Sequence, residues 1–214
     1  MTEFYRPTLK LRCSPLAWLK WQFLAHAGPT EVAGFGFCAQ HDPLYLEDIL
    51  VIGQRATAVT VAFDDAAVAD LFDRMTDAQI SPHRFARVWL HSHPGACAKP
   101  SGVDEATFRR VFGSCDWSVM AILSRTSATY ARLQFSAGPG GSLEIPVTVD
   151  WQTFPAITSL DSHFAQWRQE YEQHVKPIPF GFPELFEEEP TEVLTETIHP
   201  DLLNWGELLE YSQS

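Results

Sequence analysis

The sequence predicts an α/β protein, a mixed β-sheet flanked by helices, followed by a C-terminal helical and acidic extension. Three observations carry this. Apolar runs of strand length recur between residues 7 and 149, segments with helical spacing fall before, between and after them, and the composition changes character beyond about Asp150. With 214 residues, 45% hydrophobic and 20% charged, the chain has material for one well-buried domain and an appendage. We divide it into a domain over residues 1–150 and an extension over residues 151–214.

Each element has a local reason. Residues 7–13 alternate as a strand. Ser14-Pro15 then opens a helix, because a serine hydroxyl caps free N–H groups and proline fits the first turn; it runs through His26 and Gly28 ends it. Strands are predicted over 31–39, 44–52 and 57–63, with the turn-forming His41-Asp42-Pro43 between the first two. Asp64-Asp65 caps a helix carrying Ala66, Val68, Ala69, Leu71, Phe72 and Met75, which Ser81-Pro82 stops. Arg87 to His91 reads as a strand, and after Pro100 a helix capped by Ser101 carries Val103, Ala106, Phe108, Val111 and Phe112. Three more strands are predicted, Trp117–Ser124, Thr129–Phe135 and 143–149, the last two divided by Gly138-Pro-Gly-Gly141. In the extension, Phe164, Trp167, Tyr171 and Val175 align on a helix over 160–175. Residues 177–183 form a proline-rich stiff connector, and 201–211 can form a short helix that docks on the domain or on a basic partner.

Charge and cysteine usage narrow the setting. Of 27 acids, nine lie from Pro177 onward, where there is no Lys or Arg; the remaining 18 face all 15 bases, so the domain is near-neutral and carries no nucleic-acid footprint. No apolar run approaches the ~20 residues that span a bilayer, and the opening Met-Thr-Glu-Phe-Tyr-Arg lacks a signal peptide's apolar core, which predicts a cytoplasmic protein. Cysteines 13, 38, 97 and 115 form no C-x-x-C pair and read as reduced thiols.

The chemistry concentrates between residues 91 and 104. In a strand, side chains two residues apart share a face, so His91 and His93 can hold one ion, and the helix that follows carries Asp104 in its first turn. Two imidazoles and a carboxylate leave a fourth tetrahedral position open, as catalytic zinc sites do for water. Ser101-x-x-Asp104 taken alone is a capping box, and a single His at a strand end is commonly structural; the conjunction of both with a tight loop favours a metal site. Cys97, in the loop between the ligands, reads as loop packing because three ligands are already present. A general base is also needed, and Glu31, opening the glycine-containing apolar run Glu31-Val-Ala-Gly34-Phe-Gly36, is the candidate; its alternative is a solvent-facing residue at a strand start.

A glutamate heading such a strand, then His-Ser-His-Pro, seven residues, and Ser-Gly-Val-Asp resembles the E…H-x-H-x7-S-x-x-D motif of the JAMM/MPN+ zinc metalloprotease family, over roughly residues 5–150. The resemblance implies the MPN (JAB/cytidine-deaminase-like) fold, one catalytic zinc held by His91, His93 and Asp104, Glu31 as general acid/base, and Ser101 as hydrogen-bond donor to the tetrahedral oxyanion. It further implies a bacterial, deubiquitinase-like isopeptidase acting after the C-terminal tail of ubiquitin or a ubiquitin-like protein, with conjugation-system proteins encoded nearby as partners. In family members, the region of strand 57–63 and the following helix guides the substrate. Some members carry an insertion with a second, structural zinc after the catalytic aspartate; between Asp104 and Trp117 this chain has room only for a helix and a turn. Three alternatives stay open: processing of a sulfur-carrier precursor, a non-catalytic MPN scaffold, and a RadC-like nucleic-acid-associated protein. The modifier, the choice between isopeptide and linear bonds, and the oligomeric state are not legible in the sequence.

Overall fold

A computed structural model describes residues 9–154 and 160–178. In chain order its elements are β1 (Leu11–Cys13), α1 (Pro15–His26), β2 (Ala33–Ala39), β3 (Asp42–Leu50), β4 (Gln54–Ala56), β5 (Val61–Phe63), α2 (Asp65–Asp77), α3 (Pro82–Phe85) and β6 (Val88–His93). They continue with α4 (Gly102–Phe112), β7 (Trp117–Ser124), β8 (Thr129–Phe135), β9 (Gly141–Glu144), β10 (Val147–Val149), a 3-10 turn at Trp151–Thr153, α5 (Asp161–His174) and β11 (Val175–Pro177).

Eight strands make a mixed sheet in the order β10-β1-β3-β2-β6-β7-β8-β9. Its two terminal strands are joined by only Ile145-Pro146, so the sheet must curl until its edges approach. The junction is tied to both sides: Ile145 N–H donates to Ala131 O and Leu11 N–H donates to Pro146 O, each at 3.0 Å. The fold is therefore mixed α/β with a curled sheet flanked by helices. A second, three-stranded sheet runs β11-β4-β5.

The period of two in the central strands sorts side chains onto two cores. Val88 and Leu90 of β6 and Val119, Ala121 and Leu123 of β7 face α1, where Trp21, Leu24, Leu11 and Leu46 complete one core. Trp89, Met120 and Ile122 face the other way, against Phe108 and Phe112 of α4, Leu71 of α2 and Phe85 of α3. His91 and His93 continue the Trp89 face and so point toward α4. In β2, Gly34 permits close packing: a Cβ there would lie 2.9 Å from Leu50 O and 2.7 Å from Ile49 Cγ2.

Capping follows the sequence closely. Ser14 accepts from Ala17 N–H, Asp64 accepts from Ala66 and Ala67 N–H, and Ser101 accepts from Asp104 N–H. Several local expectations change, and a helix, α3, and a strand, β4, stand where neither was expected. The predicted strand over 57–63 is cut to Val61–Phe63, because Thr57 Oγ1 accepts from Val59 and Thr60 N–H and bends the chain. The expected turn at His41-Asp42-Pro43 is shorter, since β3 already begins at Asp42. The strand expected over 143–149 is two, split where Pro146 can donate no ladder bond. Val175–Pro177 enters the small sheet beside β4 where a connector was expected to begin. Of the first predicted strand, residues 7 and 8 lie outside the described residues, as do most of the connector and the helix proposed over 201–211.

The first part of the extension packs on the domain. Trp167 is buried, Phe23 of α1 lies with its ring centroid 6.0 Å from those of both Phe164 and Trp167, and Lys20 Nζ sits 2.8 Å from Glu170 Oε2. No helix among the described residues is long and apolar enough to cross a membrane.

Candidate metal centre

β6 delivers two of the ligands and the start of α4 delivers the third. His91 and His93 project from one face of β6, while the Ser101 cap fixes the first turn of α4 so that Asp104 turns inward. The cap is reciprocal: Ser101 Oγ accepts from Asp104 N–H at 3.2 Å and Asp104 Oδ2 accepts from Ser101 N–H at 2.6 Å. The hydroxyl keeps its own proton to donate elsewhere. Glu105, next along, grips Arg132 of β8 through both carboxylate oxygens at 2.7 and 2.8 Å, which holds this turn to the sheet.

Glu31 arrives from the segment leading into β2. Ala33 pairs with His91, Ser92 N–H donates to Val32 O, and Ser92 Oγ accepts from Val32 N–H, so Glu31 falls opposite His93 on the same face. Its own N–H donates to Thr57 O at 2.8 Å, which gives the Thr57 turn a second purpose.

The donor atoms converge. His91 Nε2 is 3.2 Å from Asp104 Oδ1, His93 Nε2 is 3.5 Å from Asp104 Oδ2, and Glu31 Oε1 is 3.8 Å from His93 Nε2. One donor from each of His91, His93 and Asp104 lies within 4.8 Å of the others. Nitrogen and oxygen donors at ~2.0–2.1 Å from a tetrahedral ion stand roughly 3.3 Å apart, close to the two ligand separations seen. His93 is oriented by its other nitrogen, Nδ1, 2.9 Å from Cys97 O. Cys97 thus contributes its carbonyl, while its side chain is exposed and lies outside the group formed by His91, His93 and Asp104.

Electrostatics favour a cation here. Burial lowers the pKa of His91, against the opposing pull of the Asp104 carboxylate, and so keeps the ring neutral and able to ligate. For His93 burial also acts downward, but Asp104, the Cys97 carbonyl and Glu31 outweigh it and raise the pKa. Burial pushes Asp104 up, yet the two histidines and the Ser101 N–H hold it well below the usual carboxylate range. Glu31, 4% exposed, is raised to about 7 by burial, with His93 lowering it and Asp104 raising it.

The buried polar atoms supply a direct test of fit. His91 Nδ1 and Nε2, His93 Nε2 and Glu31 Oε2 are buried with no hydrogen-bond partner among the described residues. Such groups are costly unless something satisfies them. A divalent ion bound by His91, His93 and Asp104 gives one nitrogen of each imidazole a partner, and the residues present fit one. All five site residues named from sequence gather here, although the structure records Ser101 only through its cap.

Several contributors went unnoticed in the sequence. Trp89 stacks on the His91 ring at 4.4 Å and also meets Phe108 and Phe112, so it fixes the first ligand to the core. Its position two residues before His91 on the same strand face was the available signal. The carbonyls of Cys97 and Thr57 had none, since any residue offers one. In comparisons with known proteins, no family model matches the chain and no curated protein matches it.

Proposed function

We propose that the protein is a zinc-dependent isopeptidase or peptidase of the JAMM/MPN+ type, with the MPN fold. We infer its substrate bond to be the one following the C-terminal tail of ubiquitin or a ubiquitin-like protein. The observation that carries this reading is the convergence of His91, His93 and Asp104 on one point with the buried Glu31 carboxylate 3.8 Å from His93. A mixed nitrogen and oxygen set of three suits zinc, and zinc when bound supplies Lewis acidity and a water made acidic near neutral pH.

The chain's own residues supply the rest. Glu31, buried and with its pKa raised to about 7, accepts a proton from the attacking water and returns it to the departing amine. A neighbouring cation draws its pKa down and favours the basic form at the start of the cycle. Ser101 donates its free hydroxyl proton where negative charge develops on the scissile carbonyl oxygen. β5 is the outer strand of the small sheet, and an extended substrate tail can add to that edge by main-chain hydrogen bonds.

The test uses purified protein and a panel of ubiquitin-like fusions, with and without chelator, beside Glu31→Ala. Cleavage that vanishes in the chelated sample and in the substituted protein supports the mechanism. Equal cleavage in all samples, or no zinc at equimolar amounts by elemental analysis, defeats it.

A further inference from the structure

We propose that residues 201–211 of this chain dock beside the metal centre, on a surface made by the turn at residues 57–60 and the first turn of α4. This goes beyond the hydrolase reading and does not depend on it.

The path of the chain brings the segment there. Ile178 N–H donates to Ala56 O at 2.8 Å, and the next residue, Thr57, accepts from Glu31 N–H at 2.8 Å. Residues 179–214 therefore begin beside the lead-in that carries Glu31. The 22 residues between Ile178 and Asp201, at up to ~3.3–3.6 Å each, are long enough to reach the surface around the exit point. A tether of that length gives a local concentration on the order of millimolar, so weak contacts suffice.

The surface has matching chemistry. Val59, 51% exposed at the tip of the turn, and Val103, 49% exposed beside Asp104, are apolar groups on the elements that anchor Glu31 and supply Asp104. Lys176 of β11 and Arg55 of β4 stand side by side in register, both exposed, and no carboxylate among the described residues forms an ion pair with either. Like charges opposed across a ladder destabilise it, and an anion beside them relieves that. Lys99, in the loop after His93, adds a third exposed cation. The segment offers the complement: Leu202, Trp205, Leu208 and Leu209 for the valines, Glu207 and Glu210 for the cations.

The experiment follows amide hydrogen exchange at residues 57–60 and 102–104 of the full-length protein, together with the rate at which exposed Cys97 is alkylated. A full-length variant with Trp205→Ala, Leu208→Ala and Leu209→Ala is expected to exchange and alkylate at least about threefold faster, and a synthetic peptide of residues 201–211 added to it should slow both again. Equal rates in native and variant chains, or a peptide without effect, would overturn the proposal whatever the activity on any substrate. Protection that grows with protein concentration would also overturn it, because the segment would then sit on a second copy.

Discussion

Glu31 and His93 face one another from adjoining segments, carboxylate to imidazole at 3.8 Å, with Glu31 Oε2 left buried and unpartnered. This separates the carboxylate from the three ligands and gives it a different task. Glu31→Gln keeps shape and burial but removes the proton acceptor. Zinc content is expected to stay equimolar while turnover of a ubiquitin-like fusion falls by about 10²–10⁴. Elemental analysis beside steady-state kinetics checks both halves.

Metal removal should be visible without any substrate. The site leaves a buried imidazole nitrogen of His91 and one of His93 for an ion to satisfy, so binding favours the folded state. At a free zinc concentration ~1,000 times Kd the stabilisation is about 4 kcal/mol, or a rise in Tm on the order of 10 °C for a domain of this size. Thermal melts with zinc and with chelator measure it. His91→Ala is expected to abolish the difference.

Trp89 is 2% exposed and lies against His91, Phe108 and Phe112. Trp89→Ala should lower stability by about 3–5 kcal/mol through the cavity left between sheet and α4. Trp89→Phe should keep the fold, and the looser His91 ring should weaken zinc retention. Denaturant melts and competition with a chromogenic chelator separate the two effects.

Gly34 lies beside Ala33, the residue that pairs with His91. A methyl group at position 34 meets Leu50 O at 2.9 Å, a backbone atom that can move only if β2 and β3 part. Gly34→Ala is expected to cost about 1–3 kcal/mol and to lower zinc affinity as the β2 lead-in shifts. Urea unfolding and zinc titration are the measurements.

Burial pushes the thiols of Cys13 and Cys38 from 9.0 up to about 12. The folded chain keeps protons that the unfolded chain releases, so stability is full below about pH 9 and falls as pH rises toward 12. The slope is up to about 1.4 kcal/mol per pH unit per thiol. Guanidinium melts between pH 7 and 10.5 should reveal the decline, and Cys38→Ala should flatten it. At pH 8, only the exposed Cys97 among the four cysteines should react readily with a thiol reagent.

What could be read in advance was whatever depended on short-range pattern. The strand face shared by His91 and His93, the cap formed by Ser101 and Asp104, and the helix opened by Ser14-Pro15 are each decided by neighbours within four residues. The arrival of Glu31 was legible as a candidate only, since its partner His93 is fixed by strand pairing across sixty residues. Three features escaped altogether. Thr57 spends its hydroxyl on a turn, Pro146 sends consecutive strands to opposite edges of the sheet, and Val175 pairs beside Gln54, where an irregular connector was expected next. Each is a choice among backbone partners distant in sequence, and residue type constrains such choices weakly.

β1 lies between β3 and β10, with Leu11 matched to Val147. During synthesis the first strand therefore waits for one neighbour until almost the entire domain has left the ribosome. Such long loop closure slows folding, and this sheet is expected to complete itself on the scale of milliseconds to seconds. Until then its early strands stand half-assembled, which makes a chaperone's help most valuable before residue 149 emerges.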